Sequence, residues 1–286
     1  MAKIIITTES SADLKKEWIE QYNIKTVPFS VNFPDRSLFD NEFPVREIYD
    51  FYEKTGQIPK TNAVNPDQYT QFFERIAAEN PGCVIIHMGY SSVCSCSFQN
   101  AIIGEADCEH AKVYLIDSKN VSGGLGNLVI KAAEIAEANP DMDPEALVQK
   151  IVPYVKKTHT AFVPNKLDFL AAGGRVSNAA ALGAALLRLK PRIDILDGAL
   201  IAGKKYVGVM KRIIPEFVHD FVKDKNLDKS LVYAFCSEEA DEEAMKRLVE
   251  CLKKEGFERV ETSTLGCVMT VHGGKGAMGI SAMDAE

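Results

Sequence analysis

The sequence predicts an α/β protein: an N-terminal parallel sheet covered by helices, followed by a C-terminal mixed α/β unit. Three observations carry that reading. Short apolar runs alternate with segments of helical period along nearly the whole chain, the pattern of a sheet covered on both faces. The chain has 286 residues, more than one core usually holds, so two α/β units or one large one are expected. After about residue 158 the pattern turns to short strands with a hairpin signal, which divides the chain into domains at 1–160 and 161–286.

The elements follow in order. Lys3 to Thr7 reads as a strand, and Ser10 or Ser11 can cap a helix running through Ile19. Thr26 to Val31 is a second strand and Val45 to Tyr52 a helix. Asn65-Pro66 starts another helix, with a cap and a proline at its first position. Val84 to Met88 is a buried strand, Ser95 to Glu105 a helix and Val113 to Ile116 a strand. Helices are expected over Leu125–Glu137 and Pro144–Lys157. Asp197-Gly198 is a tight-turn signal between strands Arg192–Ile195 and Ala199–Ala202. A helix near Pro215 to Val222, a strand over Leu231–Phe235 and a helix over Glu239–Lys254 come next. Strands near Val260 and Met269 close the chain.

Composition narrows the function. Hydrophobic residues are 46% and charged residues 26%, which excludes a disordered, fibrous or coiled-coil chain. The longest apolar-plus-glycine stretch, Ala179 to Leu187, is far too short to span a membrane, and the N-terminus lacks the pattern of a signal peptide. A cytoplasmic protein with no stable membrane insertion is expected. Net charge is −7 and no basic block stands out, so nucleic acid is not an expected partner. The seven cysteines lack paired metal-ligand spacing and read as reduced thiols; no metal is expected.

In open α/β sheets, ligands sit beyond the carboxyl ends of the strands. Here those ends carry hydroxyls: Thr8-Glu9-Ser10-Ser11, then Tyr90 through Ser95, then Asp117-Ser118 with Ser122-Gly123-Gly124. Lys60-Thr61-Asn62 lies between two helices. A single serine there would be an ordinary helix cap. Four such loops together point to a pocket that holds a small polar or anionic group by neutral hydrogen bonds. Enzymatic signatures are missing. Gly273-Gly274-Lys275-Gly276 is not followed by the Ser or Thr of a phosphate loop, and Gly123-Gly124-Leu125-Gly126 lacks the third glycine of a dinucleotide loop. Only His272 of the five histidines sits in a glycine-rich setting. Gly173-Gly174-Arg175 reads either as a helix end turning sharply or as a mount that aims the guanidinium at an anion.

These residues carry a resemblance. Glu9-Ser10-Ser11-Ala12-Asp13-Leu14, Thr61-Asn62-Ala63, Ser91 through Ala101, Asp117-Ser118 with Ser122-Gly123-Gly124, Leu167 through Arg175, and Val271 through Ala277 occur in the order seen in the DegV family. That family comprises bacterial fatty-acid-binding proteins and includes the FakB subunits of fatty acid kinase. The resemblance implies a two-domain DegV-like fold with a long-chain fatty acid such as palmitate between the domains. It implies a non-enzymatic carrier in lipid transport or fatty acid metabolism, without cofactor, that presents the acid to a separate ATP-dependent kinase subunit. Carried over onto this chain, Thr61, Ser92 and His272 would hold the carboxylate. Ser10, Asn62, Ser91, Ser95, Arg175 and Gly273 would stand near the head group.

The chain also departs from the pattern. Asn62 and Ala63 replace the usual Ser and Gln, and Cys96 replaces a loop glycine. Tyr206 stands where an arginine is common, and Ala234-Phe235-Cys236 lacks a frequent histidine. The second reading is an α/β enzyme acting on a small phosphorylated metabolite, with Arg175, Lys275 and His272 around the phosphate. Energetics fit the first. A sixteen-carbon tail buried at ~0.8 kcal/mol per methylene gives about 11 kcal/mol gross, so neutral hydroxyls suffice for the head group.

Overall fold

A computed structural model describes residues 2–176 and 189–286. The small-residue helix expected after Arg175, over 179–187, lies outside the described residues. Strand β1 (Ile4–Glu9) runs into a 3-10 turn over Ser10–Ala12 and then helix α1 (Lys16–Gln21). The expected helix from Ser10 to Ile19 is split because Asp13 adopts the left-handed conformation, φ 51°. The expected strand over Thr26–Val31 is also two. β2 (Lys25–Val27) pairs with β1, whereas β3 (Ser30–Asn32) joins another sheet after Pro28, which has no N–H to continue the ladder.

β3 is the centre of a small antiparallel sheet with β4 (Ser37–Phe39) and β5 (Lys60–Asn62), α2 (Arg46–Thr55) lying between the two outer strands in sequence. Helix α3 (Pro66–Glu79) begins as expected: Asn65 and Gln68 form a reciprocal capping box, with proline at the first position. β6 (Val84–Gly89) is buried at every residue, and α4 (Ser97–Ala106) and β7 (Lys112–Asp117) follow. The first sheet has the order β2-β1-β6-β7, all parallel. The chain leaves β1 on one side for β2 and later adds β6 on the other. That switch opens a crevice beyond the ends of β1 and β6.

Helix α5 (Ser122–Ala138) is buried along most of its length and touches strands of both large sheets. The Ser-Gly-Gly-Leu-Gly start is buried on every side, while Lys131, Glu134 and Glu137 give the later turns a polar stripe toward solvent. The expected helix over Pro144–Lys157 is broken into α6 (Pro144–Ile151) and α7 (Pro153–Lys157), since Pro153 cannot donate to the preceding turn. β8 (Thr158–Val163) and α8 (Asp168–Gly173) come next. β9 (Leu189–Leu196) and β10 (Ala199–Val207) form the expected hairpin, with Asp197 and Gly198 both at positive φ, 47° and 87°.

Helix α9 (Met210–Val222) starts five residues before the expected Pro215, whose missing N–H falls inside the helix. β11 (Leu231–Cys236), α10 (Glu242–Lys254) and β12 (Arg259–Thr264) lie where expected. The strand expected near Met269 is instead helix α11 (Cys267–Gly273), and the last strand is β13 (Met278–Met283). The reason is tertiary. Two buried aspartic acid side chains take the free amides of this helix start: the Gly266 amide donates to Asp13 (2.7 Å) and the Val268 amide to Asp40 (3.0 Å).

The second sheet has the order β10-β9-β8-β13-β11-β12, antiparallel except for β11 with β12. One face packs on α9 and α10 through Val232, Ala234, Ile280, Phe217 and Leu248. The other faces α5. An N-terminal parallel sheet and a C-terminal mixed sheet are thus present as the sequence predicts. No helix among the described residues is long and apolar enough to cross a membrane.

Candidate functional site

A cavity of about 280 Å³ opens at the carboxyl ends of β6 and β7 and is closed on the other side by the second sheet. Its volume is near the lower end of the ~300–1,000 Å³ common for small-molecule sites. The walls are mainly apolar: Phe29, Tyr90, Val121, Phe162, Leu200 and Phe235 come from both halves of the chain.

One end is polar. Thr61 on β5 places its hydroxyl 2.9 Å from Nε2 of His272 at the end of α11. Arg175 lines the same cavity and is exposed on its outer side, with Nη1 donating to the carbonyl of Gly173 (2.6 Å). Burial, then the nearby positive charges of Arg175 and Lys60, push His272 down to about 4. At neutral pH its imidazole is therefore uncharged. A bound anion here would meet a hydroxyl, a neutral imidazole and one guanidinium.

Local sequence explains how these groups are held. Helix α8 ends at Gly174, φ 68°, the left-handed stop that the Gly-Gly pair predicts, and the turn delivers Arg175 to the cavity. The helix-end reading of Gly173-Gly174-Arg175 is thus realised in this turn. Gly173 makes room for the imidazole, since a Cβ there would lie 2.5 Å from His272 Nδ1. Across the crevice, fully buried Glu9 accepts from Tyr69 Oη (2.7 Å) and from the Tyr90 amide (3.0 Å), fixing the loop after β6 as a wall.

The structure brings together Thr61, His272, Asn62, Ser95, Arg175 and Gly273, all lining the cavity. Ser92, Ser91 and Ser10 do not line it. Ser92 is exposed, donates to Asp117 (2.5 Å) and accepts from Lys119 (3.1 Å). Ser91 is buried and donates to the Gly198 carbonyl (2.7 Å), tying the loop to the β9–β10 turn. Ser10 accepts from the Phe29 amide. Lys275 donates to Glu239 (2.5 Å) and does not line the cavity, so the phosphate trio of Arg175, Lys275 and His272 is not assembled there. Tyr206 is a core residue, its hydroxyl donating to Asp220 (2.9 Å). Cys94 and Cys96 line the cavity, and burial pushes the Cys94 thiol up to about 11, away from thiolate chemistry.

Thr160, on β8, carried no local signal, whereas Ser122 belongs to a loop the sequence points to. Ser122 and Thr160 add hydroxyls to the cavity wall. Behind Ser122, Asp13 is buried 2.5 Å from the Ser122 hydroxyl, and burial, with Asp40 nearby, pushes it up to about 8 against the pull of its hydrogen bonds. No group of three or more His, Cys, Asp or Glu among the described residues is arranged to hold a metal.

Comparison with known proteins places this geometry in context. A family model described as "Uncharacterised protein, DegV family" matches residues 3–285. A DegV domain-containing protein of Listeria innocua is 30% identical over 285 residues, covering 98% of each chain. A DegV lipid binding protein from Thermotoga maritima superposes with a TM-score of 0.85 at 26% identity, covering 99% of both chains. A DegV family protein from Thermus thermophilus, described for its fatty acid binding, has the same fold with a TM-score of 0.85 at 22% identity, covering 99% of this chain and 100% of that one.

Proposed function

Because this chain belongs to the DegV family, we propose that it binds a long-chain fatty acid, with the tail in the apolar cavity and the carboxylate at the Thr61–His272 end. One observation carries the reading: a mainly apolar cavity between the two sheets that ends in a hydroxyl, a neutral imidazole and an arginine. The Thermotoga relative, a lipid binding protein at 26% identity, supports it.

The division of labour is physical. The tail supplies most of the affinity, about 0.8 kcal/mol per buried methylene before immobilisation is subtracted. The polar end sets orientation, and an uncharged His272 leaves Arg175 as the main counter-charge. Asn62 and Ser95 stand beside the head group, while Ser92 is engaged by Asp117 and Lys119 outside the cavity. With Arg175 exposed at the mouth, a carboxylate bound there stands within reach of another protein. The chain then acts as a carrier in lipid transport or fatty acid metabolism, and a separate kinase subunit would use ATP on the presented acid. The two domains, 1–160 and 161–286, form the two sides of the site.

Denaturing extraction of the purified protein followed by mass spectrometry tests this. A near-stoichiometric long-chain fatty acid is expected. An empty protein that also fails to take up palmitate or oleate would overturn the reading. Acyl phosphate formed from ATP only when a kinase subunit is added would establish the carrier role.

A further inference from the structure

Phe235 on β11 lines the cavity, while its neighbours Val232 and Ala234 belong to the core on the opposite face of the sheet. Its ring is gripped from two sides by missing side chains. A Cβ on Gly123, in the first turn of α5, would overlap the ring edge at Cδ1 and lie 2.9 Å from Cε1. A Cβ on Gly279 of β13, directly across the ladder from Phe235, would overlap Cε2 and Cζ. Neither glycine is among the residues with positive φ, so backbone conformation does not require glycine at either place. What both positions supply is space for one ring.

We propose that Phe235 sets the bulk of acyl tail the cavity accepts, and that Gly123 and Gly279 seat its ring against the wall. This rests on the fatty-acid reading and adds its selectivity. The polar end is built from β5, α8 and α11, whereas the ring is held by α5 and β13. Phe235 therefore meets the tail rather than the carboxylate. Removing the ring frees volume inside an apolar cavity, and an added methyl at Gly123 drives the ring off α5 and into that volume, because the β13 backbone stands behind it. The two changes act on selectivity with opposite sign.

The test is a competition series with myristate, palmitate, stearate and arachidate on the full chain. Phe235→Ala is expected to raise the stearate-to-palmitate affinity ratio by up to about a hundredfold, since a hydrophobic pocket discriminates by about tenfold per methylene and the two acids differ by two. Phe235→Leu should shift the ratio the same way by less, and it serves if the alanine variant does not fold. Gly123→Ala should lower the ratio. Wild-type binding with the same ratio in all folded variants would overturn the role of Phe235 while leaving fatty-acid binding standing. A wild-type protein that binds none of the four acids would overturn the fatty-acid reading, and the selectivity inference with it.

Discussion

The hydroxyl of Thr61 and Nε2 of His272 stand 2.9 Å apart although 211 positions separate them in the chain. A short edge strand of the small sheet and the end of a seven-residue helix meet at this pair. Neither group carries a charge at neutral pH, so under the proposed function the pair would meet the carboxylate by hydrogen bonding and leave the charge to Arg175.

Thr61→Ala is expected to weaken palmitate binding by about tenfold, the loss of one hydrogen bond to a charged group. Ser92→Ala should change affinity by less than about twofold, since its hydroxyl is spent on Asp117 outside the cavity. Titration calorimetry of both variants checks this; equal losses would place Ser92 at the head group.

Gly173→Ala should act at a distance from the ligand. The new methyl would lie 2.5 Å from Nδ1 of His272 and must turn the imidazole away from Thr61. Binding should fall several-fold while the melting temperature changes little. Unchanged affinity would show that His272 need not hold its present place.

His272 also predicts a response to acid. It is held neutral down to about 4, against an ordinary value of 6.5, so the unfolded chain takes up its proton first. The stability this contributes is present above pH 6.5 and is lost as pH falls toward 4, with a size of roughly 3 kcal/mol. The difference in urea midpoint between wild type and His272→Gln, in which the other titrating groups cancel, should shift in the variant's favour between pH 7.5 and pH 4.5.

Asp13 predicts the reverse. Burial raises it to about 8 from 3.8, so the folded chain holds a proton that the unfolded chain has released. Stability from this group is greatest below pH 4 and declines as pH rises to 8. Asp13→Asn stays uncharged and tolerates the left-handed backbone. It should be more stable than wild type at pH 9, by about 6 kcal/mol, and close to it near pH 4. Thermal melts at both pH values decide; a less stable variant at pH 9 would refute it.

What could be read from residues alone was whatever local chemistry decides. Asn65-Pro66 and Asp197-Gly198 announced a helix start and a hairpin because caps and tight turns depend on neighbours in sequence. Hydroxyls beyond strand ends mark Ser95 and the loop after β6, and Thr61 stands out between two helices. Met269 was misread because apolar residues flank it, and the aspartic acid side chains that make its segment helical sit far away in sequence, at Asp13 and Asp40. Ser92 shows the same limit in the site. A serine in the right loop says nothing of which way its hydroxyl turns, and Asp117 settles that. Phe235 and its paired glycines are likewise spread over β11, α5 and β13, and only packing reveals why the pair are glycine.

Helix α5 has one last consequence. Its apolar surface is divided between two sheets, so neither half of the chain can come apart without wetting the surface it shares with the other. The two halves are thereby coupled in melting: a single cooperative heat-absorption peak is expected in calorimetry. A ligand lodged beside the first turn of α5 should move that whole peak upward, stabilising both sheets at once.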